Sequence, residues 1–265
     1  MRPLAAGEGK GEGKGVREGK GVRNLFIDNW QRNCYFGYMG RPKRTAEGGR
    51  IYHVWNRANA RMTIFGKRGD YEAFERVVGE AKERTEMRIV AYCLMPNHWH
   101  FVLWPLNAGD LSEFTGWMTL THTQRWHSHR HSTGSGHVYQ GRFKSFPVQD
   151  DDHFYTVCRY VERNALRANL VERAEDWRWG SLYRWKYGTA KEKSLLSPWP
   201  LPRLPNWVDH VNKPLTEAEL DAVRRCVRRG RPFGDPAWIE TTARQLGLET
   251  TLRPRGRPKK ARKGS

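Results

Sequence analysis

His98-Trp99-His100 is the first place in the chain where residue types and spacing could do chemistry. On a strand, successive side chains alternate between faces, so His98 and His100 point one way. Trp99, Phe101 and Leu103 then point the other way, into an apolar layer. Two imidazoles about 6–7 Å apart on a rigid strand can chelate one divalent ion. The spacing alone is a weak signal, because ten histidines make chance pairs common. His127, His129 and His131 form a rival run in a polar stretch that reads equally as a solvated loop. What distinguishes the first pair is the apolar strand that holds it.

Tyr160 and Asn164 lie four residues apart, which makes them neighbours on one helical face. A tyrosine hydroxyl is a poor nucleophile unless it is activated or aimed at a strong electrophile. A metal ion that polarises a phosphodiester supplies such an electrophile. The Asn164 amide oxygen could add a third ligand to the histidine pair. Read blandly, Tyr160 is a core residue with its hydroxyl capped. Tyr155 is the rival nucleophile. It lies nine residues from Asn164, about 180° around a helix, and cannot share that face.

A third group is Tyr139-Gln140-Gly141-Arg142-Phe143-Lys144. On a strand, Gln140, Arg142 and Lys144 share one face, and three donors in a row suit a phosphate backbone or an extruded base. A solvated edge strand would look the same.

The elements that must position these residues follow from the pattern around them. Arg50 to Asn56 reads as a strand by its β-branched and aromatic content. Asp70 reads as the N-cap of a helix carrying Phe74, Val77, Val78 and Ala81. Arg88 to Met95 and His98 to Trp104 read as a hairpin broken at Pro96-Asn97. Leu111 to about Arg130 is expected to be a helix, and Val138 to Val148 a strand. Asp150, Asp151 and Asp152 complement the N-terminus of a helix expected to run through Asn164. Trp177, Trp179, Leu182, Tyr183 and Trp185 are expected to cap the core.

The 265 residues carry a formal net charge of +19, a field that attracts polyanions, of which nucleic acid is the usual one. Twelve Trp argue for a folded core beside that charged surface. The four cysteines form no C-x-x-C pair, so neither a zinc ribbon nor a disulfide framework is indicated. No apolar run approaches 18 residues and no secretory h-region opens the chain, so no membrane partner is expected. A cytoplasmic, prokaryotic, nucleoid-associated protein fits these features. No P-loop motif is present, which weakens a replication-helicase fusion.

Four blocks together resemble the REP-associated tyrosine transposases, within the single-tyrosine HUH transposases. They are Ile51-Tyr52-His53-Val54, Met95-Pro96-Asn97-His98-Trp99-His100, Gln140-Gly141-Arg142-Phe143-Lys144, and Tyr160-Val161-Glu162-Arg163-Asn164 running on to Leu170-Val171. The stretch from Gly230-Arg231-Pro232-Phe233-Gly234 through Leu246-Gly247-Leu248 is similar as well. The resemblance implies an α+β fold, a ferredoxin-like antiparallel sheet with helices on one face, plus a small C-terminal helical segment and a basic tail. It implies Mg²⁺ or Mn²⁺ on His98, His100 and Asn164, and attack by Tyr160 to give a 5′-phosphotyrosine and a free 3′-hydroxyl. It implies single-stranded hairpin or palindromic DNA as substrate. Ala165 stands where the family often has Pro, and Asn169 where it often has Gly. Asn tolerates the left-handed conformation, so the turn is expected to survive.

The expected organisation is a low-complexity leader over 1–38, a catalytic domain over 39–187 and a proline-rich linker over 188–214. A helical segment over 215–250 and a basic tail over 251–265 complete it. In the tail, Arg253, Arg255, Gly256 and Arg257 resemble an AT-hook, which reads the narrow A·T-rich minor groove of duplex DNA through arginine. A non-specific basic tail is the alternative there. For the whole chain the alternative is a non-catalytic binder or regulator of palindromic DNA, and monomer and homodimer are both open.

Overall fold

The protein is described here by a computed structural model, covering residues 46–253. The leader and three of the tail residues, Arg255, Gly256 and Arg257, lie outside the described residues.

The chain runs β1 (Ile51–Arg57), α1 (Arg68–Thr85), β2 (Arg88–Met95), β3 (His98–Trp104), α2 (Asp110–His129) and β4 (Lys144–Val148). The strands form one sheet in the order β2-β3-β1-β4, with every neighbouring pair antiparallel. This βαββαβ path is the ferredoxin-like sheet expected. β2 reads Arg88-Ile89-Val90-Ala91-Tyr92-Cys93-Leu94-Met95, an almost unbroken apolar run with little exposure on either face. Such a strand needs cover on both sides.

Both sides are covered. On one, Phe74, Val77 and Val78 of α1 and Phe114 and Met118 of α2 pack on Tyr52, Val54, Tyr92, Trp99 and Phe101. On the other, Phe154, Val157 and Val161 of α3 (Asp152–Glu162) pack on Ile51, Val90, Cys93, Val102 and Phe146. The expectation of helices on one face therefore holds only for the two crossover helices. Asp70 is not the N-cap expected of it. Helix α1 begins two residues earlier, and the Asp70 carboxylate reaches back to accept from the backbone N–H groups of Gly66 and Lys67.

Three further differences bear on the site. The strand expected from Val138 forms only from Lys144. Before it, Tyr139 makes a single bridge to Ala58, and Gly141, at φ 151°, turns the chain out of the ladder. Helix α3 stops at Glu162, and a separate turn, α4 (Asn164–Arg167), follows. It closes with Asn169 at φ 55°, with Leu170 N–H donating to Ala165 O and Asn169 N–H to Leu166 O. That pattern is a Schellman cap, so Asn169 does the work expected of glycine.

The stretch 188–214 is packed against the sheet and does not span open solvent as a linker would. Trp199 donates its indole N–H to Val90 O at 3.0 Å. Trp207 opens α7 (Trp207–Asn212) and is wholly buried. Before it come α5 (Ser181–Tyr187) and α6 (Ala190–Lys193), and after it α8 (Glu217–Arg229) and α9 (Pro236–Gln245). Between α8 and α9, Phe233 pairs with the edge strand. Its N–H donates to Pro147 O and its carbonyl accepts from Gln149 N–H, each at 2.9 Å. No described helix is long and apolar enough to cross a membrane.

Candidate active site

Strand alternation places His98, His100 and Val102 on the sheet face that α3 covers, while Trp99, Phe101 and Leu103 enter the opposite layer. His98 and His100 have ring centroids 5.1 Å apart. Tyr160, on the sheet-facing side of α3, stands nearly perpendicular to His100 at 6.1 Å between centroids. Its hydroxyl makes no hydrogen bond among the described residues, so the capped core tyrosine is not what the fold contains. Tyr155 points elsewhere, donating to Pro202 O at 2.6 Å.

The imidazoles are held through their Nδ1 atoms. His98 Nδ1 lies 2.6 Å from Asn97 Oδ1. An amide oxygen can only accept, so His98 carries its proton on Nδ1 and leaves the Nε2 lone pair free. His100 Nδ1 lies 2.9 Å from His53 Nε2 on β1, and the two rings stack at 10°. In the tautomer that frees His100 Nε2, Nδ1–H donates to His53. This is the outer-shell arrangement that prepares imidazole for a metal ion. Burial, reinforced by Arg57 and Arg167, pushes the His98 pKa down to about 4. Burial pushes His53 to about 3 and His100 well below its ordinary value. All three are therefore neutral at pH 7, the form that ligates.

Asn164 is buried just beyond α3. Its Oδ1 accepts from Arg167 Nη2 at 2.8 Å, and its Nδ2 is a buried donor without a partner. The Arg167 guanidinium also lies over the Tyr160 ring, 4.3 Å from the centroid. Tyr160 and Asn164 are thus joined through Arg167. No group of three or more His, Cys, Asp or Glu among the described residues could hold a metal ion. The donor set that a divalent cation would find is two imidazoles and one amide oxygen. The imidazoles fit as they stand, whereas the oxygen is shared with Arg167.

The polar histidine run does not form a competing centre. His127 uses Nδ1 toward Ser132 Oγ and Nε2 toward Gly136 O, at 2.9 and 3.0 Å. His129 faces Lys67 Nζ, and both histidines belong to the last turn of α2. Gln140 and Arg142 are exposed in the bends before β4, and Lys144 is exposed as its first residue. They do not share one strand face as expected. They do stay at the histidine end of the sheet, because Gln140 N–H donates to Arg57 O and Asn56 Nδ2 donates to Gly141 O. Arg57 pairs directly across from His98. Arg253 is exposed at the end of the described residues. Sequence reasoning gave no role to His53, Arg57 or Arg167. His53 had one legible signal, its even spacing with Trp55 and Ile51 on a strand.

Residues 49–164 match the family model described as IS200-like transposase. The matched stretch contains His53, His98, His100, Tyr160 and Asn164. Among solved structures, a REP-associated tyrosine transposase bound to a REP hairpin is 18% identical, with a TM-score of 0.42, covering 56% of this chain and 84% of that one. A candidate transposase from Deinococcus radiodurans R1 is 14% identical, with a TM-score of 0.33, covering 48% of this chain and 97% of that one. No curated protein matches the chain.

Proposed function

We propose that this protein is a transposase that cleaves and rejoins single-stranded DNA at hairpins, with Tyr160 as the nucleophile. The observation that carries the reading is the uncapped Tyr160 ring set against His100 on the sheet face that also holds His98. The Tyr160 oxygen attacks the scissile phosphorus, forming the O–P bond as the bond from phosphorus to the 3′-oxygen breaks. The phenol proton leaves to solvent, and the 3′-oxygen takes a proton from water. Attack by a 3′-hydroxyl on the phosphotyrosine reverses the step and joins strands. His98 and His100, with Asn164, would hold Mg²⁺ or Mn²⁺, which supplies Lewis-acid polarisation of the phosphate. Burial of the three rings keeps them unprotonated and excludes bulk water around them. The choice of hairpin DNA rests on the four sequence blocks shared with the REP-associated enzymes, and +19 of net charge favours any polyanion.

The test is covalent capture of a labelled hairpin oligonucleotide. Wild-type protein with Mn²⁺ is expected to form an adduct stable to SDS. Tyr160→Phe should abolish it while hairpin affinity changes little, and Tyr155→Phe should retain it. Undiminished cleavage in EDTA would remove the metal from the reading. Adduct formation by Tyr160→Phe would remove the nucleophile and favour a binder or another tyrosine.

A further inference from the structure

Three arginines lie at four-residue intervals along α3 and α4, and they have different fates. Arg159 donates to the carbonyls of Lys213 and Pro214 at 2.9 and 2.7 Å. Arg163 donates to those of Val211 and Asn212. Both guanidinium groups hold the end of α7 and the residues after it, although Arg159 Nε is left without a partner. Arg167 reaches instead into the cluster of His53, His98, His100 and Tyr160. One of its nitrogens, Nη2, bonds Asn164, and the other, Nη1, is buried without a partner. No described carboxylate pairs with it.

A half-buried guanidinium whose Nη1 is buried without a partner is costly unless something meets it. An anion would meet it. A planar fork matches two oxygens of a phosphate better than any other group in this site. The cation lies over the ring of the proposed nucleophile, beside the hydroxyl that the phosphate must approach. Charge accumulates on the non-bridging oxygens as the Tyr160 oxygen adds, and a donor already aimed there stabilises that state most. We propose that Arg167 is a catalytic residue of this site, contacting a non-bridging oxygen of the scissile phosphate. The assignment rests on the cleavage reading above and lies beyond the residues that the family model spans. Asn164 holds the guanidinium through Nη2, leaving Nη1 for the phosphate.

The experiment compares a hairpin carrying an ordinary scissile phosphate with one carrying a methylphosphonate there, in which a neutral methyl replaces one charged oxygen. Arg167→Ala is expected to slow adduct formation about 100- to 1,000-fold on the ordinary phosphate. On the methylphosphonate it should add no further loss beyond about threefold. Arg167→Lys, which keeps charge but not the fork, should fall between, and it serves if the alanine variant fails to fold. A second arm uses the non-cleaving Tyr160→Phe protein and reads affinity alone. There, removing Arg167 should weaken binding of the ordinary hairpin about tenfold and leave methylphosphonate binding unchanged. This arm decides the contact even if another residue proves to be the nucleophile. Wild-type-like adduct rates in Arg167→Ala would overturn the proposal. So would an equal loss on both substrates, which would make Arg167 a prop for Tyr160 and Asn164.

Discussion

His53 determines which nitrogen of His100 faces the site, and that choice can be measured. It is wholly buried, stacks on His100 and Trp55, and meets Tyr160 edge-on at 6.0 Å. Its Nε2 is the group within reach of His100 Nδ1. His53→Phe keeps the ring volume but removes the acceptor, so His100 is free to take the wrong tautomer. Mn²⁺ affinity, read by calorimetry, should drop about 10- to 100-fold. His53→Gln places an amide oxygen near the lost Nε2 and should recover most of it. Equal affinity in the wild type and the phenylalanine variant would show that His53 does not orient the ligand. The sequence disclosed His98, His100 and Tyr160 because their relations are local, period two on a strand and four residues on a helix. It did not disclose the role of His53, because the diagonal from β1 to β3 depends on a register that pairs Trp55 with His100. Nor did it disclose Arg167, whose aim depends on the break at Arg163.

Hairpin β2-β3 was legible at the level of elements because Pro96-Asn97 punctuates two apolar runs. The segment over 188–214 was misread because proline density signals turns and says nothing about packing. Trp199, Leu201, Leu204 and Trp207 pack, at irregular spacing, on the hydrophobic cluster formed by the sheet's second face and α3, which no helix or strand template detects. The docked strand-like piece at Phe233 is the other element that pattern alone did not place. Gly234 shows why it is glycine there. A Cβ at Gly234 would lie 2.6 Å from the Trp238 ring and would also press on Gln149. That side chain is held by Asp235 N–H at 2.8 Å. Gly234→Ala should therefore cost about 1–3 kcal/mol in urea unfolding. It should also speed amide exchange at Phe233 and Gln149 before the rest of the sheet. A stability loss spread evenly over all four strands would mean that the segment is not clamped at this point. A different element, the bends before β4, bears on DNA contact. Arg142→Ala with Lys144→Ala should lower the log–log salt slope of hairpin binding by about 0.7–0.9 per lost phosphate contact. An unchanged slope would mean that this rim does not touch the backbone.

Taken as a whole, the molecule combines +19 of net charge with several imidazoles that burial keeps neutral, and both features make acid its weak side. His122 is a clean probe because it lies away from the proposed ligands. It sits on α2 beneath the opposite sheet face, with Nδ1 2.8 Å from the Tyr139 hydroxyl. Burial pushes its pKa down to about 3. In the unfolded chain the same group titrates near 6.5. Its contribution is therefore fully present above pH 6.5. As pH falls from there toward 3, the unfolded state binds a proton that the folded state refuses, and stability drains away. His53 and His98, at about 3 and about 4, act in the same direction over the same window. Glu175 adds to it lower down, since hydrogen bonds from Asn212, Arg173 and Lys186 outweigh its desolvation and hold it near 2. Buried Glu162 works the other way, because burial raises its pKa and protonation relieves it. The histidines outnumber it, and each proton added to an already cationic chain also increases self-repulsion. Urea midpoints measured at pH 7.5, 6.0 and 5.0 should therefore decline steadily. Each neutral buried histidine contributes a slope approaching about 1.4 kcal/mol per pH unit once the pH is well below 6.5. His122→Phe should flatten the curve by about one such increment, whatever it does to stability at pH 7.5. Added salt should raise all midpoints without removing that difference, because screening acts on the surface charge and not on a buried imidazole. A midpoint independent of pH between 7.5 and 5.0 would mean that these rings can be protonated in the folded protein, and so are not the dry, neutral groups described here.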